Sequence, residues 1–323
     1  MNLELSLRNG ETLDLHPGLP NGFTGPFLKN ATSLSAGNGE TELVIQEVAY
    51  EDFSIRFLVG KFLKRLNVSG RILKRGLYCY FTIKNGIRKD VGSVGKLHLR
   101  QDQFTGFFTE PTSCKTRFEK EKDFQSIDIF YSPKLLEELF TYFPELKELM
   151  KTERGAMLPG RSGWSLPSMK EITSQLLNIP YDEATSRFYF DLKVRELLFQ
   201  ILVHAYKRNP SDHYYTPWEV GRIHEAKRIL ETYIATKAPT IKSLARQVAL
   251  NEYKLKTGFK QYFSLSIFDW LVEQRMQHAK ELLLTTNRPV KEICSMVGYP
   301  RSSNFITAFR RRFGMTPRSL RQK

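Results

Sequence analysis

One short pattern is written twice in the last third of the chain, and few folds can accommodate it. From Thr240 the sequence runs TIKSLARQVALNEYKLKTGFKQYF, and from Pro289 it runs PVKEICSMVGYPRSSNFITAFRRRF. Each copy predicts a short amphipathic helix, a tight turn and a second helix with phenylalanines recurring every four residues. That is the outline of a helix-turn-helix, made twice.

In the first copy Thr240 is placed to cap a helix with Ile241, Leu244, Ala245 and Val248 on one face. After a turn at Leu250 and Asn251, Leu255, Phe259 and Phe263 form an i, i+4, i+8 stripe. Tyr253, Thr257 and Lys260 are left on the opposite side, flanked by Lys256. In the second copy Ile293 and Val297 form the inner stripe, Gly298 supplies a positive-φ turn, and Phe305, Phe309 and Phe313 repeat the ladder. Ser303, Ile306, Thr307 and Arg310 then face outward, with Ser302 beside them and Arg311 and Arg312 adding charge at the helix end. In a single copy such a stripe reads as ordinary core. Two copies with matched spacing and basic outer faces read as a surface for a polyanion.

Between the copies, Ser266 to Thr285 carries Ile267, Phe268, Leu271, Ala279, Leu282 and Leu283 at helical spacing, with Ser266 as the cap. A helix of about twenty residues spans about 30 Å. That is close to the roughly 34 Å between successive major grooves on one face of a duplex, so one chain can present two readers.

These segments resemble the DNA-binding domain of AraC/XylS-type transcription regulators. The resemblance rests on SLARQVAL, YKLKTGFKQYF, RMQHAKELLL with Arg275, Ala279, Leu282 and Leu283, VKEICSMVGYP and FRRRFGMTPRSLR, over roughly residues 220 to 323. NEYKLKTGFK is similar to the siderophore-regulator-like branch. The resemblance implies double-stranded DNA as a partner, with Tyr253, Lys256, Thr257, Lys260, Ser302, Ser303, Ile306, Thr307, Arg310 and Arg311 as the DNA-binding residues. Two departures bear on this. Ser264 stands where many members have Gly after the first recognition helix. Thr307 stands where many have arginine or another long polar residue, which shifts weight in the second motif to phosphate contacts from Arg310 to Arg312.

Charge supports the same partner without the family. From Thr216 to the end there are 20 Lys and Arg against 8 Asp and Glu, which places +12 of the chain's +15 in that segment. Membrane attachment is not expected. No window holds about 18 apolar residues, and MNLELSLRNGETLDL lacks the basic start and apolar core of a signal peptide. The three cysteines, Cys79, Cys114 and Cys294, offer neither a disulfide framework nor zinc spacing, which fits a cytoplasmic protein. Cys294, beside Ile293, reads as packing rather than as a reactive thiol.

The chain's 323 residues suggest about two domains. The first two-thirds read as α+β, an N-terminal antiparallel barrel followed by helices, ahead of the C-terminal all-α domain with its two helix-turn-helix motifs and long linker helix. Strands are expected around Leu43 to Tyr50, Asp52 to Val68, Leu77 to Lys84, Gly95 to Thr109 and Ser126 to Tyr131. LYCYFTIK alternates Leu77, Cys79, Phe81 and Ile83 with Tyr78, Tyr80, Thr82 and Lys84, and Asn85-Gly86 after it signals a hairpin. The pattern suggests a barrel or jelly roll, and the resemblance implies a cupin-like sensor. Ser132-Pro133 starts a helix carrying Leu135, Leu136, Leu139 and Phe140. Further helices follow at Ser168 to Leu177 and at Glu183 to Arg208, the last with Phe188, Leu192, Leu198, Leu202 and His204. The barrel is expected over about 1–131, the helices over about 132–208, a turn-rich linker over 209–217 and the DNA-binding domain over 218–323.

No catalytic residues, cofactor or metal are expected. Of His16, His98, His204, His213, His224 and His278, only His98 lies in a clear strand, and no H-x-H pair exists. A Walker loop, a Rossmann fingerprint and a G-x-S-x-G elbow are all absent from the sequence. The reading is thus a sequence-specific transcription regulator and not an enzyme, with an unknown small-molecule effector and a homodimer. RNA polymerase as a partner, and activation as the sign of control, follow from the resemblance alone. Two alternatives stay open: an architectural DNA binder, and an enzyme tethered to DNA by this module.

Overall fold

In the computed structural model, which describes residues 3–7, 12–120, 122–206 and 215–321, the chain divides into two units, Met1–Asp212 and His213–Lys323. Positions 209–214 of the expected linker lie outside the described residues.

The first unit begins with strands β1 (Leu3–Leu7), β2 (Thr12–Leu13), β3 (His16–Pro17), β4 (Thr32–Gly37) and β5 (Thr41–Ala49). Next come β6 (Phe53–Phe62), β7 (Leu66–Ile72), β8 (Gly76–Lys84), β9 (Ile87–Val91) and β10 (Gly95–Leu99). β11 (Gln103–Thr109), β12 (Thr112–Phe118) and β13 (Lys122–Tyr131) lead into two short helices, α1 (Pro133–Glu137) and α2 (Glu145–Met150). Strand β14 (Ala156–Trp164) then precedes α3 (Pro167–Leu177) and α4 (Glu183–Tyr206).

Among the described residues these strands form two antiparallel sheets. One has six strands in the order β10-β9-β12-β7-β1-β2, and the other has eight in the order β14-β11-β8-β13-β6-β5-β4-β3. The sheets face each other as an open jelly-roll-like sandwich. The larger sheet is covered on both faces. Leu43, Ile45, Leu58, Phe62, Tyr80, Phe107 and Phe124 point between the sheets. Ile55, Phe57, Leu77, Cys79, Phe81, Ile127 and Ile129 point the other way, into a core shared with the helices. Tyr131 fixes that second layer by donating to the Val194 carbonyl of α4 at 3.3 Å. Each buried phenylalanine contributes about 2 kcal/mol of burial.

The structure departs from the sequence reading in physically legible ways. The strand expected over Asp52 to Val68 is two, β6 and β7, divided where Leu63 N–H donates to the Glu40 carbonyl at 2.9 Å. Asn85-Gly86 is not a hairpin, because β8 pairs with β11 and β13 whereas β9 pairs with β10 and β12. The dipeptide carries the chain from one sheet to the other. Asn85 takes φ 58°, and a Cβ on Gly86 would lie 2.5 Å from the Leu99 carbonyl oxygen. In α4 the core face is Phe190, Val194, Leu197, Leu198, Ile201 and Leu202, while Phe188, Leu192 and Phe199 are exposed.

The second unit is helical. α5 (Pro217–Glu231) starts with a capping box in which Thr216 Oγ1 accepts from Glu219 N–H and Glu219 Oε2 accepts from Thr216 N–H. It is followed by α6 (Ile241–Gln247), α7 (Glu252–Phe263), α8 (Ile267–Thr285), α9 (Val290–Met296), α10 (Ser302–Phe313) and α11 (Pro317–Arg321). Ser266 caps α8 as expected, with its hydroxyl accepting from Asp269 N–H at 3.2 Å.

Candidate nucleic-acid interface

The first motif is α6 and α7. Thr240 Oγ1 accepts from Ser243 N–H at 3.1 Å, and Leu244, Ala245 and Val248 are buried. The chain leaves α6 through Ala249 at φ 53°. Asn251 then caps α7, its side-chain oxygen accepting from Lys254 N–H at 2.7 Å. Leu255, Gly258, Phe259 and Tyr262 are buried, so the inner face is broader than the expected stripe. Gly258 is required by close approach: an added Cβ would sit 2.3 Å from the Ile223 side chain of α5. α7 ends at Ser264, which adopts the left-handed conformation at φ 60° that glycine usually fills.

On the opposite side, Tyr253 is 61% exposed, and Lys256 and Lys260 are exposed beside it. Thr257 differs from its expected outward setting. It is half-buried, its hydroxyl lying 2.5 Å from Tyr215 Oη and donating to the Tyr253 carbonyl at 2.8 Å. Lys254 is committed elsewhere, pairing with Glu219 of α5.

The second motif, α9 and α10, repeats this plan. Ile293, Cys294 and Val297 are buried, and Gly298 turns the chain at φ 75°. The Cys294 thiol donates to the Tyr299 carbonyl at 3.4 Å. Phe305 and Phe309 are buried, and Phe313 continues the ladder with its ring 4.6 Å from that of Phe309. Gly314 closes α10 at φ 71°. Ser303, Ile306, Thr307, Arg310 and Arg311 are exposed, and Ser302 is half-buried at the first turn. Arg312 belongs to the scaffold: its Nε donates to Glu273 Oε2 of α8 at 2.5 Å.

Exposed positions 253, 256 and 260 of α7 therefore recur, fifty residues on, at 303, 306 and 310 of α10. Each set follows the i, i+3, i+7 spacing of one helical face. Among the described residues Lys256, Lys260, Arg310 and Arg311 form no ion pair. Four cations thus face outward without an acidic partner among the described residues.

Three contacts that hold the motifs escaped the sequence reading. The Arg275 guanidinium of α8 donates to the carbonyls of Ile234, Tyr233 and Thr236 at 3.0, 3.1 and 2.5 Å. The hydrogen bond from Lys254 holds Glu219 below the usual carboxylate range, and that from Arg312 does the same for Glu273. Burial pulls Arg275 below its ordinary value. Partners some forty residues away leave no local pattern. Among the described residues no cluster of metal-ligating side chains occurs, and no helix is long and apolar enough to cross a membrane.

Comparison with known proteins matches both units. Residues 51–213 match the family model of the regulatory protein PchR N-terminal domain, which is half of the chain, and residues 244–323 match a helix-turn-helix domain model. The arabinose operon regulatory protein of Escherichia coli K12 is 28% identical over 156 residues, 48% of this chain and 51% of that protein. The transcriptional activator RhaR of Yersinia pseudotuberculosis is 38% identical over 74 residues, 23% of this chain and 26% of that protein. Among solved structures, the C-terminal domain of the response regulator yesN of Fusobacterium nucleatum is 32% identical, covering 30% of this chain and 95% of that one, at a TM-score of 0.29. The chain spans about half the length of the first curated relatives it matches. With the N-terminal half matching one regulator model and the doubled motif another, the chain belongs to the AraC/XylS family of transcription regulators, which is not an enzymatic family, and to its siderophore-regulator-like PchR branch.

Proposed function

We propose that the chain is a cytoplasmic, sequence-specific regulator of double-stranded DNA that activates transcription by RNA polymerase under the control of a small effector. The observation that carries this reading is the register of the two outward sets, in which the same face of α7 and α10 is exposed and bears basic side chains. α8, at 19 residues, is about 28 Å long, which supports setting α7 and α10 into successive major grooves about 34 Å apart. Lys256, Lys260, Arg310 and Arg311 then meet phosphates, while Tyr253, Thr257, Ser302, Ser303, Ile306 and Thr307 approach base edges.

Residues 1–208 serve as the sensing and dimerisation domain in this reading, 209–217 as the linker and 218–323 as the reader. The exposed stripe of Phe188, Leu192 and Phe199 on α4 favours pairing with a second copy of the chain. The relatives' printed names, an operon regulatory protein and a transcriptional activator, favour the sign of control. Selection of bound duplexes from a random DNA pool tests the whole. Two sequence blocks about one helical turn apart are expected, and salt-sensitive binding without any motif would replace this reading with an architectural one.

A further inference from the structure

The outer face of the six-stranded sheet gathers cations that the fold does not use. Its strands alternate, turning Leu66, Val68, Ile87, Val91, Leu97 and Leu99 inward. Outward stand Arg71 of β7, Arg88 of β9, Lys96 of β10, and Lys115 and Arg117 of β12, all exposed. Register sets them side by side: Arg117 lies opposite Arg88, and Lys96 and Lys115 flank Asp90 from either side. Among the described residues Arg71, Lys96, Lys115 and Arg117 form no ion pair, and Arg88 shares Glu119, at 3.6 Å, with Arg65 at 3.3 Å.

Folding alone does not favour this arrangement, because like charges directly opposite each other in a ladder are destabilising. Five cations against Glu4 and Asp90 give the face a net charge of +3, with His98 neutral. That equals the whole net charge of residues 1–215, so the rest of the unit is balanced and the excess is a patch. Beside the cations lie Ser6, Asn67, Ser69 and Ser113, short polar side chains of the kind that also contact phosphates. The partner is narrowed further by what the face lacks. Single strands are held by aromatic side chains that stack on bases, and membranes by apolar or aromatic side chains that enter the bilayer surface. Among the described residues this face presents neither.

We infer that this face binds the phosphate backbone of double-stranded DNA flanking the sequence that the second unit reads, through Arg71, Arg88, Lys96, Lys115 and Arg117. The inference rests on the DNA-reading role proposed above and adds to it a second contact that carries no sequence information. Lys115 and Arg117, two residues apart on β12, rise about 6.8 Å along the strand, twice the axial step of about 3.4 Å between phosphates of one DNA strand. Because the face is tethered to a reader, bound duplex reaches it at high local concentration, and contacts too weak to hold DNA alone still add to affinity.

The test is titration of the full chain on a mixed-sequence duplex of about 60 base pairs at several salt concentrations. Lys115→Gln/Arg117→Gln is expected to lower the slope of log affinity against log salt by about two, at roughly 0.9 per phosphate contact, and Lys96→Gln alone by about one. Lys61→Gln/Lys147→Gln, which removes two exposed cations elsewhere on the same unit, should leave the slope unchanged. The β12 variant should melt no lower than the parent, since it relieves the opposition of Arg117 and Arg88. An unchanged slope in both face variants, or an equal fall in the control pair, would overturn the inference. So would parent-like DNA binding by the β12 variant together with loss of binding to phosphatidylserine vesicles, which would give the face to a membrane. Lys260→Gln/Arg310→Gln separates the two readings: no effect of that pair, beside a lowered slope in the β12 variant, would refute the proposed reader and leave this face standing.

Discussion

Ala249 and Gly298 hold the same place in the two helix-turn-helix copies, each ending a first helix in the left-handed region, at φ 53° and φ 75°. Only the second copy uses the residue suited to that conformation. The same inequality recurs at the ends of the recognition helices, where Ser264 at φ 60° matches Gly314 at φ 71°.

Ala249→Gly should therefore stabilise the first motif by about 0.5–1 kcal/mol, the left-handed penalty removed less the entropy gained by the unfolded chain. The reverse change, Gly298→Ala, should cost about 2 kcal/mol or more, since strain is added to a clash. The new Cβ would lie 2.8 Å from the Ile234 carbonyl oxygen and 2.9 Å from the Arg275 guanidinium. Native-state hydrogen exchange in α6 and α9 reads the two effects separately, and faster exchange in the Ala249→Gly variant would contradict the argument.

Arg275 should prove a residue for which lysine cannot substitute. Its fork answers three carbonyls after α5, at Tyr233, Ile234 and Thr236, and an ammonium cannot match that geometry. Arg275→Lys is expected to destabilise the second unit by about 1–3 kcal/mol through unmet carbonyls. Because Gly298 touches the same guanidinium, combining it with Gly298→Ala should give less than the sum of the single effects. Urea denaturation of the four variants completes the cycle.

Neighbouring arginines of α10 should behave differently. Arg310→Gln is expected to reduce the slope of log affinity against log salt by about one while leaving stability unchanged, and Lys260→Gln likewise. Arg312→Gln should leave the slope as it was and lower stability, because Arg312 is paired with Glu273. Titrations at several salt concentrations beside melting curves would separate the roles, and a slope change in the Arg312 variant would undo the division.

Acid should loosen the second unit through Glu219 and Glu273. Both carboxyls lie below the usual range, held there by Lys254 and Arg312 respectively. A depressed carboxyl contributes stability that is complete above its unfolded pKa, about 4.3, and is lost as pH falls through the lower folded value. Between about pH 5 and pH 2 the urea midpoint should fall, and Glu219→Gln, at a side chain only 12% exposed, should flatten that fall. An equally steep curve in the variant would remove Glu219 from the account.

The second unit was largely legible because its signals are local. Thr240 and Ser266 cap α6 and α8, and the aromatic ladder of α10 is buried as its spacing requires. α5 escaped notice, although Thr216 and Glu219 spell its capping box. Thr257 lies half-buried, not fully outward, because its hydroxyl is drawn to Tyr215, a partner 42 residues away.

The first unit was less readable, for reasons that lie in its layers. β8 has an apolar face and a face of tyrosines and threonine, yet both are buried because its sheet is covered twice. β12 hides for the opposite reason: its inward residues include Cys114 and Thr116, which stand beside Lys89 and Asp128 between the sheets and so break the apolar alternation. β14 contains Pro159 and two glycines, a composition of turns that a strand at the edge of its sheet, beside β11, tolerates.

The double covering of the larger sheet has a mechanical consequence. On β6, Arg56 projects between the sheets while its immediate neighbours Ile55 and Phe57 project into the helical layer, and on β13 Asp128 stands in the same way between Ile127 and Ile129. A displacement of either strand is shared by both compartments at once, without passing through a loop. A side chain exchanged on β6 or β13 therefore alters one compartment alone, whereas a shift of the strand's backbone alters both.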